Sequence, residues 1–261
     1  MEAEHLKIAL IQSNLVWENP VQNRINFTKK FEAIYEVVDI IILPEMFTSG
    51  FTMQPKNVYE TMKGETVKWM RLLAKKKNAA IVGSIVIKEN NNFYNRLLFV
   101  HPNGIIDTYD KKHSFTLAGE NELYTSGKEK LIVNYKGFKI RPLICYDLRF
   151  PVWSRISEDY DVLLYVANWP EKRISAWDTL LKARAIENMS YCIGVNRVGF
   201  DANNFDYPGH SAAFDVLGEK ISDTKHKKEQ IEIVTLSRIH IEKHRHNLGF
   251  LNDKDDFNLI K

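Results

Sequence analysis

Three reactive side chains stand where an apolar run gives way to a polar turn. Glu45 lies in Ile41-Ile-Leu-Pro-Glu-Met-Phe47, Lys111 in Tyr109-Asp-Lys-Lys-His-Ser-Phe115, and Cys145 in Arg141-Pro-Leu-Ile-Cys-Tyr-Asp-Leu-Arg-Phe-Pro151. A strand end of this kind holds a side chain on a rigid sheet and leaves its tip free to react. A cysteine attacks as its thiolate, a neighbouring carboxylate can take and return the proton, and a lysine ammonium favours both a thiolate and an oxyanion. One of the two adjacent lysines can point inward while the other stays in water, but taken singly each segment has an ordinary reading as well: a solvated loop carboxylate, a solvated pair of lysines, and a small buried hydrophobe. Cys192, in Tyr191-Cys-Ile-Gly194, fits the last of these.

The elements that must position these residues can be read from apolar periodicity. Strand-like runs at 7–12 and 37–43 bracket a helical pattern over 21–35, a β-α-β alternation. A second such unit follows, with a helix over 65–77, where Val67, Met70, Leu73 and Ala74 recur at helical spacing, and a strand over 79–87. Asn103-Gly104 and Lys136-Gly137 then mark two hairpins, 93–100 with 105–109 and 131–135 with 138–143. Beyond Cys145 come a strand at 161–166, a helix over 175–189 with Trp177, Leu180, Leu181 and Ala185 inward, a strand at 191–196, and short strands near 211–214 and 231–234. Neither a linker nor a repeat interrupts this order, and the expectation is one mixed α/β domain spanning 1–261.

Composition narrows the function classes. Of 261 residues 44% are hydrophobic and 26% charged, ordinary globular usage with enough apolar material for a large core. No apolar run approaches the roughly 18 residues of a membrane span, and Met1-Glu-Ala-Glu-His-Leu-Lys7 has neither the basic start nor the apolar stretch of a signal peptide. A cytoplasmic protein is expected, its two cysteines too few for a disulfide framework. The 36 basic and 33 acidic residues are spread without a basic block, which argues against a nucleic-acid partner. Glycine-rich nucleotide loops, His-Glu-x-x-His and Gly-x-Ser-x-Gly do not occur. His240, His244 and His246 lack an accompanying cysteine or acidic ligand motif and read as a solvated basic helix face, so no metal is expected.

Leu43-Pro-Glu-Met-Phe47, Tyr109-Asp-Lys-Lys-His113 and Ile144-Cys-Tyr-Asp-Leu-Arg-Phe-Pro151 together resemble the three signature segments of the nitrilase, or carbon-nitrogen hydrolase, superfamily. The likeness continues through Ala167-Asn-Trp-Pro170, Ala183-Arg-Ala-Ile-Glu-Asn188 and Asn196-Arg-Val-Gly199. Through Ala118-Gly-Glu120, Ala167-Asn-Trp-Pro170 and Pro208-Gly-His-Ser211 the chain is most similar to the omega-amidase branch. The resemblance implies a four-layer α-β-β-α sandwich, usually dimerised through sheet-covering helices. It also implies a Glu45-Lys111-Cys145 triad, with Glu120 matching a further acidic residue that orders the site. Ser114 departs from the family pattern, since many relatives carry leucine there, and the expected effect is on packing.

On that reading Cys145 attacks an amide carbonyl, Glu45 relays the proton, and Lys111 lowers the cysteine pKa and, with the backbone N–H of Tyr146, steadies the oxyanion. No metal or organic cofactor is required, and the partner is a small amide. For a short dicarboxylate monoamide such as 2-oxoglutaramate or succinamate, Arg173 is the expected clamp for the far carboxylate. Phe47, Phe51, Phe150 and Trp169 are the expected pocket walls. The same triad would serve another carbon-nitrogen hydrolase acting on a nitrile, a carbamoyl amine or a different aliphatic amide. A non-catalytic scaffold of the same fold has no physical need for a lysine and a carboxylate around a thiol.

Overall fold

Runs that are apolar at every position, such as Ile40-Ile-Ile42, need cover on both faces of a sheet, and two sheets with helices outside them provide it. The structure, a computed structural model, describes residues 3–259. Its strands are β1 (His5–Gln12), β2 (Ile40–Ile42), β3 (Ala80–Glu89), β4 (Asn92–Val100), β5 (Ile106–Asp110), β6 (Val133–Tyr135), β7 (Phe138–Ile144), β8 (Val162–Ala167), β9 (Tyr191–Asn196), β10 (Val198–Phe200), β11 (Asp206–Pro208), β12 (Ala212–Phe214) and β13 (Gln230–Ser237). A six-stranded sheet runs β13-β1-β2-β3-β4-β5 and a five-stranded sheet runs β12-β9-β8-β7-β6, while β10 and β11 form a separate hairpin. In the first sheet β1, β2 and β3 are parallel, and in the second β7, β8 and β9 are parallel. Antiparallel strands flank both cores.

Strand alternation divides the interior into layers. Leu6, Ile8, Leu10, Ile40, Ile42, Val82 and Phe99 face the second sheet and pack with Phe138, Ile140, Leu164 and Val166. Ala9, Ile11, Ile41, Ile81 and Ile85 face the other way, against Phe27 and Phe31 of the helix Pro20–Glu32 and Val67, Met70 and Leu73 of the helix Glu65–Lys77. Outside the second sheet lies the helix Ile174–Asn188, whose Trp177 and Leu181 come so close to β9 that a Cβ at Gly194 would fall 2.6 and 2.5 Å from them. Only glycine permits that approach. The expected four-layer α-β-β-α sandwich is the fold observed.

Local differences from the sequence reading have local causes. The first helix ends at Glu32 rather than continuing to 35, because the N–H groups of Ala33 and Ile34 close it on the carbonyls of Lys29 and Phe31. The strand expected over 37–43 shortens to Ile40–Ile42, since pairing with β1 and β3 covers only those residues. The hairpin β10–β11 escaped the sequence reading: Asp201 organises its turn by accepting the N–H groups of Asn203 and Phe205. Strand β13 pairs with β1 along its full length, and the helix Arg238–Leu248 that follows returns to the second sheet, where Arg245 binds the Met189 carbonyl and Asp161. His240 on that helix pairs with Asp215 at 3.1 Å.

Candidate active site

Ligand sites in sheets of parallel strands gather at the carboxyl ends, and the polar residues here do so. Glu45 follows β2, Lys111 follows β5, Cys145 follows β7, Asn168 follows β8 and Asn196 closes β9. The three expected reactive residues converge, although 66 residues separate Glu45 from Lys111. Lys111 Nζ lies 2.9 Å from Glu45 Oε1 and 2.9 Å from Glu120 Oε2, with all three side chains buried. Glu45 Oε1 also accepts Asn95 Nδ2 at 2.8 Å, and Oε2 accepts the N–H of Asn168 at 2.8 Å. The Asn168 side chain donates in turn to the Glu45 carbonyl at 2.6 Å. Of the lysine pair, Lys111 turns inward, and Lys112 lies over the Trp153 ring.

Each approach has a local cause. Arg96 grips Asp110 with a two-pronged pair, 2.7 and 2.8 Å, and so anchors the last residue of β5. Gly127 then donates to the Lys111 carbonyl, in a position where a Cβ would sit 2.1 Å from the Asp110 carbonyl oxygen. Cys145 has φ +43°, a left-handed conformation that costs a non-glycine residue energy and marks a constrained, forward-presented side chain. Asp147 holds that turn by accepting the N–H of Ile144 at 3.1 Å. Ser114 bonds Ser126 across the neck of the next loop at 2.8 Å, a polar closure where leucine would pack.

The electrostatics follow from burial. Burial alone would strip Lys111 of its charge, but Glu120 and Glu45 outweigh it and hold the ammonium well above the ordinary lysine range. Burial pushes the Glu120 carboxyl up, against the opposing pull of Lys111. The thiol of Cys145 is pushed well up by burial and by Glu45, and Lys111 opposes this without prevailing. Lys111 pulls the cysteine pKa down in the expected direction, and burial together with Glu45 outweighs it. Burial and the Glu45 charge thus favour the protonated form of the Cys145 thiol, against the pull of Lys111.

A cavity of about 230 Å³ opens onto Cys145 and Lys111. Phe51, Trp169, Tyr146 and Arg173 line it, as the sequence reading expects. Two expected walls do not. Phe47 is fully buried behind the first sheet, edge-on to Phe27 and tilted against Trp69, because the strand end turns it to the helix-covered face. Phe150 stacks on His113 at 3.7 Å on the far side of the Cys145 turn and belongs to a different depression. Arg149 lines the cavity and escaped the sequence reading. Its signal was its position four residues past Cys145, a little over one turn along the 3₁₀ segment Cys145–Arg149. Arg149 lies 5.0 Å over the Trp169 ring and Arg173 lies 4.9 Å over the Phe115 ring. Neither guanidinium has a carboxylate partner among the described residues, whereas the acid lining the cavity, Asp201, spends its oxygens on Asn203, Phe205 and Tyr207. Asn168 and Asn95 were likewise missed, since a lone asparagine carries no spacing signal.

Comparison with known proteins agrees with this geometry. The carbon-nitrogen hydrolase family model matches residues 7–245, and the chain belongs to that family. It is 42% identical to Omega-amidase YafV of Escherichia coli (strain K12), over 97% of this chain and 98% of that one. It is 32% identical to the 2-oxoglutaramate amidase of Bacillus subtilis (strain 168), over 83% and 85% of the two chains. A carbon-nitrogen hydrolase superfamily protein of Xanthomonas campestris, whose crystal structure carries an arsenic adduct in the active site, superposes with a TM-score of 0.95 at 40% identity, covering 98% of this chain and 100% of that one. The chain is an amidohydrolase by family. None of the helices among the described residues is long and apolar enough to cross a membrane.

Proposed function

We propose that this carbon-nitrogen hydrolase is an omega-amidase that hydrolyses the terminal amide of short dicarboxylate monoamides, 2-oxoglutaramate foremost. The observation that carries the reading is the pair of carboxylate-free guanidiniums, Arg149 and Arg173, lining the same cavity as Cys145. An arginine fork matches a carboxylate in two places, so a substrate with its amide at Cys145 and its carboxylate at these residues spans the pocket. The names of the relatives, omega-amidase and 2-oxoglutaramate amidase, support the same substrate.

In the reaction Glu45 takes the Cys145 thiol proton as sulfur attacks the amide carbon. The oxyanion that forms is met by Lys111 and by the Tyr146 N–H, at the start of a 3₁₀ turn where N–H groups lack partners within the turn. Glu45 returns the proton to nitrogen, ammonia departs and a thioester remains. Glu45 then takes a proton from water, the hydroxide displaces Cys145, and the acid and the thiol are regenerated. Glu120 acts through Lys111, holding its ammonium in place. The same reading takes 1–261 as one catalytic domain, working as a cytoplasmic homodimer paired through its sheet-covering helices.

The test is ammonia release from 2-oxoglutaramate, succinamate, glutamine, a short aliphatic nitrile and a carbamoyl amine, by the wild type and by Cys145→Ala. Turnover confined to the monoamides and lost in the variant is the expected result. Cys145-dependent turnover of the nitrile or the carbamoyl amine instead would overturn the substrate and keep the triad.

A further inference from the structure

We infer that Asn95 is a positioning residue that decides which oxygen of Glu45 receives the nucleophile's proton. Asn95 is buried on β4, between the two carboxylates of the site. Its Nδ2 lies 2.8 Å from Glu45 Oε1 and 3.5 Å from Glu120 Oε1. Both neighbours are acceptors, so the amide must present nitrogen to them, and Asn95 Oδ1 is left buried without a partner. An unmatched buried carbonyl costs free energy, and the amide keeps this orientation because turning it would set oxygen against carboxylate. The backbone carbonyl of Asn95 also accepts the N–H of Lys111 at 3.0 Å, so one residue indexes both members of the ion pair.

Counting lone pairs gives the consequence. Glu45 Oε1 accepts Lys111 Nζ and Asn95 Nδ2, which uses both of its lone pairs. Oε2 accepts the N–H of Asn168 and keeps one lone pair free. Without Asn95, Oε1 regains a vacant lone pair, so both oxygens compete for the proton, and the carboxylate loses a donor. The other ionisable groups acting here are Lys111, Glu120 and Cys145, with the buried phenols of Tyr124 and Tyr207 feeling the Glu45 charge.

The inference rests on Glu45 as the base for Cys145. Two variants test it: Asn95→Leu, which keeps the volume without the donor, and Asn95→Ala, which removes both. Thermal melts establish that the variants fold, and the one that retains the wild-type transition is used. With 2-oxoglutaramate, kcat is expected to fall about 10- to 100-fold while KM stays within about threefold. The acid limb of kcat/KM is expected to shift away from the wild-type position, because a donor to the carboxylate that takes the proton is gone. Iodoacetamide alkylation of Cys145, read by peptide mass so that Cys192 does not contribute, is expected to show the same shift without any substrate. If 2-oxoglutaramate is the wrong substrate, the wild type itself is silent in turnover, yet the alkylation shift persists. A folded variant whose alkylation profile keeps the wild-type acid limb, or one altered in KM alone, overturns the inference.

Discussion

Asp147 binds His113 twice, at the backbone N–H (3.0 Å) and at Nδ1 (2.8 Å), and so ties the lysine turn to the cysteine turn across 34 residues. Its other oxygen accepts Tyr109 Oη at 2.7 Å and the Ile144 N–H at 3.1 Å. Tyr109 and His113 flank Lys111, and Ile144 and Asp147 flank Cys145, so one buried carboxylate sets the distance between the ammonium and the thiol. Replacing it tests how much of the site's geometry this one group carries.

For Asp147→Asn, two of the four donors lose an acceptor and the buried charge is gone, a loss of about 2–4 kcal/mol. In a chain of this size the melting temperature should fall by roughly 4–8 °C. Turnover should fall by at least tenfold at 25 °C, where the variant is still folded. Calorimetry paired with the ammonia assay measures both, and a stable variant with full activity would show that the two turns hold their spacing without Asp147.

The arginines separate binding from chemistry. Arg149→Leu and Arg173→Leu are each expected to raise KM for 2-oxoglutaramate by about 10- to 100-fold, the worth of one charge-assisted hydrogen-bonding group. A neutral short amide such as propionamide should be turned over at the wild-type kcat/KM within about threefold, because it carries no carboxylate for the guanidiniums to hold. Steady-state kinetics on the two substrates decide it; equal losses on both would place the arginines in the architecture of the pocket.

Phe47 and Phe51 are four residues apart and should behave in opposite ways. Phe47→Ala opens a void between the first sheet and its helices and should cost about 3–5 kcal/mol of stability with little effect on KM. Phe51 lines the cavity and lies 5.0 Å from Lys111 Nζ, so Phe51→Ala should alter KM and kcat with a smaller loss of stability. Urea unfolding alongside kinetics distinguishes them.

Alkaline pH should unfold the protein cooperatively. Burial raises the phenols of Tyr109, Tyr160 and Tyr165 above their ordinary value of 10.0, and Lys111 is raised above 10.5 by Glu120 and Glu45 against its burial. All four groups keep their protons longer in the folded chain than in the unfolded one. Their contribution is therefore intact below about pH 10 and is lost as pH rises toward the folded-state values, at about 1.4 kcal/mol per pH unit for each group. Urea midpoints should hold steady below about pH 8.5, begin to fall as the buried thiols of Cys145 and Cys192 add their share, and drop steeply by pH 11.5, and Tyr165→Phe should make the drop shallower. A flat midpoint across that range would contradict the assignment.

Much of this protein is legible in its residues taken in order. Apolar runs with period 2 or 3.6 fix which segments become strands and helices, because burial of apolar surface acts on local pattern. The motifs around Glu45, Lys111 and Cys145 name the chemistry, since a thiol, a carboxylate and an ammonium at strand ends suit acyl transfer from nitrogen. The tertiary structure decided what depends on direction. Phe47 and Phe51 sit in one apolar-rich segment, and only the turn after β2 sends the first into the core and the second toward the cavity. Arg149 becomes a wall of the cavity because the 3₁₀ turn after Cys145 brings it there, and Asn95 meets Glu45 across 50 residues because β4 and β2 flank β3 in one sheet. The direction of the Cys145 shift was decided the same way: a sequence reveals a nearby lysine, but the balance between desolvation and charge exists only once the groups are buried together.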